Sequence, residues 1–257
     1  MTLIISLSSI PPRFPMIGPT LESLLAQSLR ADRIEVNIPH SYARFPDWDG
    51  CLPEVPTGVD IVRCDADLGP ATKILPTARR YRGQEAEILF CDDDRIYPAH
   101  WAARFLQERK SQGGALAIRG MMVHWKIGGD CVAPAPQAQP RAGWVKSLER
   151  VVSGQEDRLF SASGHVDMFE GCGGVMVRPE MFDDADFEIP DVARPVDDVW
   201  LSGMLARKGI PIWLIANERS PRRTDAHGAE PLDDAGRHDQ NIAAIRYLQD
   251  TFGIWQP

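Results

Sequence analysis

The stretch EILFCDDD (residues 87–94) joins an apolar run of strand length to three consecutive carboxylates. The apolar part has no polar alternation, which is typical of a strand that is covered on both faces. In an open α/β sheet, ligands bind at the carboxyl ends of such strands. The stretch therefore predicts an α/β fold with a ligand site at Asp92, Asp93 and Asp94.

The acidic triplet suggests a divalent cation. Two unit charges about 4 Å apart repel each other by about 4 kcal/mol at an effective dielectric constant of about 20, and a bound cation removes that penalty. In an extended turn, Asp92 and Asp94 converge on one side while Asp93 points away. Their oxygens suit Mg²⁺ or Mn²⁺. The alternative is a solvated acidic turn that starts the following helix.

Composition narrows the class of protein. The 257 residues are 44% hydrophobic and 25% charged, which fits one large globular α/β domain. The net charge of −8 argues against nucleic acid as a partner. The apolar run at residues 3–7 is too short for a signal peptide, and no membrane-spanning run follows, so we expect a cytoplasmic protein without an integral membrane segment. Five scattered cysteines, without a Cys-x-x-Cys pair, are expected to be free thiols: Cys51, Cys64, Cys91, Cys131 and Cys172.

The first half of the chain has the pattern of a β-α-β unit. Strands are predicted at residues 3–7, 34–38 and 59–63, and a helix begins near residue 17. Next, Gly69 and Pro70 predict a turn, followed by a first helical turn that carries Lys73. A helix N-terminus with a nearby lysine is a ready site for a diphosphate. A solvated lysine on an ordinary connection is the alternative.

The second half contains a glycine cluster, a helix with an acidic start and two histidines. Gly173 and Gly174 indicate close approach of the backbone to a ligand or to another strand. The cluster lacks the complete dinucleotide fingerprint, which excludes a Rossmann dehydrogenase. Residues 194–209 predict a helix that begins with Asp197 and Asp198. These acids complement the helix dipole, but a carboxylate that stays ionised there also suits a general base.

Together, these motifs resemble a bacterial glycosyltransferase of the nucleotide-diphospho-sugar-transferase fold. The motifs are the Asp triplet, the upstream Asp-Leu-Gly-Pro-Ala-Thr-Lys, the Glu-Gly-Cys-Gly-Gly-Val stretch and the downstream Val-Asp-Asp-Val-Trp-Leu. The resemblance implies a single Rossmann-like domain over residues 1–257, with a mixed, mainly parallel sheet flanked by helices. Residues 1–97 would bind the nucleotide-sugar, and residues 98–257 would bind the acceptor and carry the catalytic groups.

The resemblance also implies roles for individual residues. Asp94 would be the principal ligand of Mn²⁺ or Mg²⁺, and Asp92 a second ligand. A C-terminal histidine would complete the metal site, and His227 is better placed for this role than His238. Asp198 would be the catalytic base, although the family's usual Glu-Asp pair is Asp197-Asp198 here, which leaves the identity of the base open. The implied donor-binding residues are Ser8, Arg13, Asp65 or Asp67, Lys73, Asp92, Asp93, Gly173 and Gly174.

The implied reaction is metal-dependent transfer of a sugar from a nucleotide-diphospho-sugar to an acceptor hydroxyl on a saccharide or another molecule, with inversion. A retaining enzyme would use the same metal site without a base.

Two other classes of protein stay open. A haloacid-dehalogenase-type phosphatase would use Asp92 as its nucleophile, but its nucleophile strand normally comes first in the chain. A non-catalytic module that binds sugar nucleotides is the other alternative.

Overall fold

The computed structural model describes residues 1–130, 132–142, 159–229 and 236–256. Within these residues, the strands are β1 Thr2–Ser8, β2 Arg33–Pro39, β3 Asp60–Cys64, β4 Ala86–Phe90, β5 Arg95–Ile96, β6 Ala115–Ala117, β7 Gly120–Met121, β8 Gln139–Pro140, β9 Phe160–Ala162, β10 Gly164–Val166, β11 Met168–Phe169, β12 Val175–Val177, β13 Ile212–Leu214 and β14 Arg222–Arg223. Eight of them form one sheet in the order β10-β13-β6-β12-β4-β1-β2-β3.

Helices flank the sheet. The α-helices are α1 Gly18–Leu25, α2 Leu75–Tyr81, α3 Trp101–Arg109, α4 His124–Ile127, α5 Asp197–Arg207 and α6 Arg237–Phe252. Short 3₁₀ helices cover Pro11–Met16, Gly69–Lys73, Gly171–Gly173, Pro179–Met181, Asp184–Phe187 and Asp225–Gly228. In the described part of the chain, no helix is both long and apolar enough to cross a membrane.

The sheet is mixed and mainly parallel, which confirms the predicted fold class. Strand β1 pairs in parallel with both β2 and β4, β2 pairs with β3, and β6 pairs with β13 in the same sense. Strand β12 is antiparallel to both β4 and β6, and β10 is antiparallel to β13. Strands from both halves of the chain therefore belong to one sheet, and β12 joins them beside β4.

Burial of β4 on both faces explains its largely apolar sequence. Ile88 and Phe90 pack into one hydrophobic core with α2, α5 and α6. Leu89 points to the other face, where α1 and α3 cover it. Because successive side chains of a strand point to opposite faces, a strand between two helical layers favours apolar residues on both faces. The exception in β4 is Glu87, which is buried in ion pairs with Arg109 and Arg178. The prediction of a doubly covered strand is confirmed.

Two local predictions differ from the structure. The turn at Gly69 leads into a 3₁₀ helix that ends at Lys73, and α2 begins only at Leu75, because Ile74 has a non-helical backbone (φ −132°). Lys73 therefore does not lie in the first turn of an α-helix. Residues 126–141, whose content of Gly, Pro and Ala predicts a surface loop, include the end of α4 and strand β8. Among the predicted free thiols, four are free cysteines, and Cys131 lies outside the described residues.

Candidate functional site

A cavity of about 740 Å³ opens at the carboxyl ends of β1 and β4. This volume lies within the range of about 300–1,000 Å³ that is typical of small-molecule sites. The parallel register of β1 and β4 brings the residues after both strands to the same edge of the sheet. Ten of the predicted site residues line the cavity: Ser8, Arg13, Asp67, Lys73, Asp92, Asp93, Asp94, Asp197, Asp198 and His227.

The three carboxylates after β4 have different partners. Asp92 Oδ1 accepts a hydrogen bond from Lys73 Nζ at 2.8 Å. Asp93 is buried and accepts hydrogen bonds from Ser9 Oγ and from Arg13, whose NH1 lies 2.8 Å away. Asp94 Oδ2 lies 2.7 Å from His227 Nδ1. Asp92 and Asp94, which were predicted to converge, line the same cavity but contact different partners, and Asp93 and Asp94 lie in a turn.

Asp94 and His227, which contact each other directly, are the residues that could hold a divalent cation. The second oxygen of Asp94, Oδ1, is buried and has no hydrogen-bond partner among the described residues, although it forms an ion pair with Arg95, whose Nε lies 3.4 Å away. An imidazole nitrogen and a carboxylate oxygen are both good ligands for Mn²⁺, so this pair fits the implied metal. Within the described residues, no group of three His, Cys, Asp or Glu side chains could hold a metal ion. Any further ligands would therefore come from a bound substrate or from water.

Lys73 is buried among carboxylates in the wall of the cavity. Its Nζ is 3.1 Å from Asp197 Oδ2 and 3.8 Å from Asp198 Oδ1, in addition to its contact with Asp92. Burial alone would lower the pKa of the ammonium, but the three carboxylates hold that pKa well above its ordinary value. Burial likewise opposes ionisation of Asp92, yet Lys73 keeps the pKa of Asp92 below its usual value. Both groups are therefore charged at neutral pH.

Asp198 differs from its neighbour. Both acids line the cavity, but the Asp197 side chain is only 3% exposed and the Asp198 side chain 26%. The Asp198 carboxyl group also accepts a hydrogen bond from the Gly171 backbone N–H at 3.1 Å. Burial, followed by repulsion from Asp197 and Asp92, raises the pKa of Asp198 from 3.8 to about 7. The expected permanently ionised carboxylate is thus not observed, because burial and like charges outweigh the helix dipole. At neutral pH this carboxyl group is poised to exchange a proton.

The predicted nucleoside residues separate into two groups. Asp67 lines the cavity, and its oxygens accept hydrogen bonds from the backbone N–H groups of Ala43 and Gly69. It therefore fixes the backbone beside the cavity. Asp65 is exposed and does not line the cavity. The aromatic ring of Tyr42 also lines this end of the cavity, which is a feature that the sequence did not single out.

The glycine cluster acts mainly through packing. Gly173 and Gly174 do not line the cavity. Gly174 has φ +92°, and a Cβ there would lie 2.3 Å from the Trp101 ring. A Cβ on Gly173 would lie 2.9 Å from the Arg119 side chain. Their close approach is therefore to neighbouring side chains, whereas Gly171 is the glycine that contacts the charged site.

Other residues that line the cavity were missed by the sequence analysis. They come from segments that are distant along the chain: Ser9, Tyr42, Phe45, Arg95, Arg119, Glu170, Cys172, Arg223, Arg237 and Asn241. His238, the alternative histidine of the sequence analysis, also lines the cavity. The position of Ser9 directly after Ser8 was a usable signal. Arg237 and Asn241 begin α6, and no local pattern predicts that this helix start reaches the sheet edge.

Solved structures share this fold. No family model and no curated protein matches the chain. The structure of TarS 1-349 from S. aureus in complex with UDP-GlcNAc superimposes with a TM-score of 0.52 at 14% identity, covering 99% of this chain and 68% of that one. The structure of GalNAc-T7 with UDP, GalNAc and Mn²⁺ gives a TM-score of 0.51 at 11% identity. It covers 97% of this chain, which spans about half (48%) of GalNAc-T7.

The chain has their fold. At 11–14% identity the likeness establishes the architecture alone. The mixed, mainly parallel sheet flanked by helices, predicted from the sequence, is thus also the architecture of two proteins whose structures contain a uridine nucleotide.

Proposed function

We propose that this protein is a glycosyltransferase that moves a sugar from a nucleotide-diphospho-sugar to an acceptor hydroxyl. One observation carries the proposal: a candidate cation pair, Asp94 with His227, and a carboxyl group with a pKa near neutrality, Asp198, line the same cavity. Support comes from the fold, which is shared with a complex of UDP-GlcNAc and with a complex of UDP, GalNAc and Mn²⁺.

The donor would lie across the carboxyl ends of β1 and β4. Ser8 and the Tyr42 ring line the part of the cavity beside β1, where a nucleoside fits, and Asp67 orders the backbone around it. Arg13, anchored by Asp93, brings a positive charge to 3.7 Å from Asp94. A Mn²⁺ or Mg²⁺ ion at Asp94 and His227 would neutralise the two phosphates of the leaving nucleotide. Asp92, held by Lys73, would orient the donor.

Asp198 would act as the general base. A base is most effective when its pKa lies near the working pH, and the pKa of Asp198 is about 7. Its carboxyl group faces the cavity from the acceptor half of the chain, where it would take the proton of the attacking hydroxyl. A base on the face opposite the leaving nucleotide predicts inversion at the anomeric carbon. A product that keeps the donor's anomeric configuration would contradict this assignment.

The phosphatase alternative has weaker support. It would require Asp92 as a nucleophile at the end of the first core strand, but Asp92 follows β4 and forms an ion pair with buried Lys73. A carboxylate held in this way is a poor candidate for attack on phosphorus. A non-catalytic sugar-nucleotide module is tested directly, because such a module would bind the donor without turning it over.

The first experiment is a thermal-unfolding screen of sugar nucleotides with and without Mn²⁺. A ligand at about 100 times its dissociation constant adds about 2.7 kcal/mol of stability. We expect at least one sugar nucleotide to raise the melting temperature in the presence of Mn²⁺, and a chelator to reverse the effect. Release of UDP or another nucleoside diphosphate then separates a transferase from a binding module. A screen in which no sugar nucleotide stabilises the protein would contradict the proposal.

A further inference from the structure

Lys73 connects three separate segments through its side chain. The side chain is only 6% exposed, and its Nζ contacts Asp92 after β4 together with Asp197 and Asp198 at the start of α5. These carboxylates belong to different halves of the chain. A single buried ammonium therefore fixes the distance between the end of β4 and the helix that carries the proposed base.

The backbone of Lys73 is also anchored. Ser6 Oγ, on β1, donates a hydrogen bond to the Lys73 carbonyl oxygen at 2.6 Å. Asn37 on β2 donates to the hydroxyl oxygens of both Ser6 and Thr77, at 3.0 Å and 2.9 Å. This buried polar cluster ties the end of the 3₁₀ helix to the sheet. Both ends of Lys73 are thus held, and the residue has little freedom to follow a ligand.

Gly171 provides the space that this arrangement needs. A Cβ at Gly171 would lie 2.7 Å from Lys73 Nζ and 3.0 Å from Asp198 Oδ1. Its backbone N–H also donates to the other oxygen of Asp198. The glycine therefore lets the lysine and the carboxyl group approach each other on one side of the helix start.

We propose that Lys73 is a positioning residue that holds the start of α5, and with it Asp198, in register with Asp92, instead of binding the diphosphate of the donor. The inference rests on the proposed glycosyl transfer. If Lys73 moved to bind a diphosphate, the buried carboxylates would lose their opposite charge. Burying unpaired charges costs free energy. A fixed ammonium in this place also limits how far the repulsion among the carboxylates raises the pKa of Asp198.

The groups that face Asp198 make the effect of Lys73 testable. They are Asp197 on α5, Asp92 after β4, Lys73 and the Gly171 backbone N–H. Loss of an opposite charge at this range raises the pKa of a carboxyl group by about 1–3 units. In Lys73→Met we therefore expect the pKa of Asp198 to rise, turnover at pH 7 to fall about 5-fold or more, and part of that activity to return at higher pH. The affinity for UDP with Mn²⁺ should change by less than about 3-fold.

Three further variants separate positioning from a merely structural role. Lys208→Met is the matched control, because Lys208 also pairs with carboxylates, Asp183 and Asp186, but at the far end of α5. It should lower the melting temperature without moving the pH profile. Lys73→Arg keeps the charge and should retain most of the turnover. Gly171→Ala inserts a methyl group between Lys73 and Asp198, and gives a second way to disturb the contact if Lys73→Met does not fold.

The experiment combines three measurements on the full chain. They are carboxyl NMR titration of Asp198, calorimetry with UDP and Mn²⁺, and turnover of the sugar nucleotide that stabilises the wild-type protein. A 10-fold or greater loss of UDP affinity in Lys73→Met, with the pKa of Asp198 unchanged, would overturn the inference and make Lys73 a diphosphate ligand. A wild-type protein that binds no nucleoside diphosphate and no sugar nucleotide would overturn the proposed function itself, and the inference with it.

Discussion

Replacing Asp198 with asparagine should make the protein more stable and much less active. The asparagine side chain has the same shape, and its oxygen can still accept the hydrogen bond that Gly171 donates to Asp198. It carries no charge next to Asp197 and Asp92, whose repulsion, together with burial, raises the pKa of Asp198 to about 7. The substitution thus removes the proposed base and a destabilising charge in one step.

The stability gain depends on pH. Because the folded-state pKa of Asp198 is raised from 3.8 to about 7, the folded protein keeps a proton that the unfolded chain has released. The wild-type protein therefore loses stability as the pH rises from about 4 to 7, and the loss is complete above pH 7. At 1.36 kcal/mol for each unit, Asp198→Asn should gain at most about 4 kcal/mol at pH 8 and about 1.5 kcal/mol at pH 5.

Loss of the base should lower turnover by about 10²–10⁴-fold, with little change in affinity for UDP and Mn²⁺. Urea unfolding at pH 5 and pH 8 measures stability, and release of the nucleoside diphosphate measures turnover. Asp197→Asn provides the contrast, because it removes a partner of Lys73 and should lower stability. A variant of Asp198 that keeps full activity, or that is less stable than the wild-type protein at pH 8, would refute this reasoning. A rate loss confined to Asp197→Asn would move the base by one residue.

Three further substitutions test other parts of the site. Asp94→Asn should reduce the Mn²⁺-dependent affinity for UDP by at least about 10-fold in calorimetry while the protein stays folded, and undiminished binding would exclude Asp94 as a metal ligand. Gly174→Ala should cost more than about 1–3 kcal/mol in urea unfolding, because φ is +92° and the new methyl group would overlap the Trp101 ring. Arg13→Met leaves buried Asp93 without its cation, so the pKa of Asp93 should rise further and stability should fall at pH 7 but recover at pH 5. An equal loss at both pH values would contradict that account.

The sequence predicts the sheet edge well because the signal is local. Strand β4 is buried on both faces, so its residues are apolar apart from Glu87, which is paired with Arg109 and Arg178, and the carboxylates begin two residues after the strand ends. The acidic start of α5 is visible for the same reason. The directions of Asp92, Asp93 and Asp94 are not visible, since they depend on a turn whose partners are Lys73, Arg13 and His227.

Long-range contacts account for the remaining differences. A Gly-Pro turn before Lys73 resembles the approach to a phosphate-binding helix. The ammonium group of Lys73, however, forms an ion pair with Asp197, a residue 124 positions later in the chain. The glycine cluster predicted, from the sequence, that the backbone lies close to a ligand or to another strand. Only the structure shows that Gly174 approaches the Trp101 ring and that Gly171 approaches Lys73 and Asp198.

The ionisation of Asp198 also bears on why the acidic pair is present at the start of α5. An acid that serves only to complement the helix dipole would have a lowered pKa and would stabilise the folded protein at neutral pH. Asp198 has the opposite property, since its pKa is raised to about 7 by burial and by Asp197 and Asp92. Helix capping therefore explains why an acid is present at the start of α5, but not why Asp198 is surrounded by groups that raise its pKa. Groups that cost stability and line a cavity are typical of functional sites, and this favours Asp198 over Asp197, which Lys73 neutralises, as the proton acceptor.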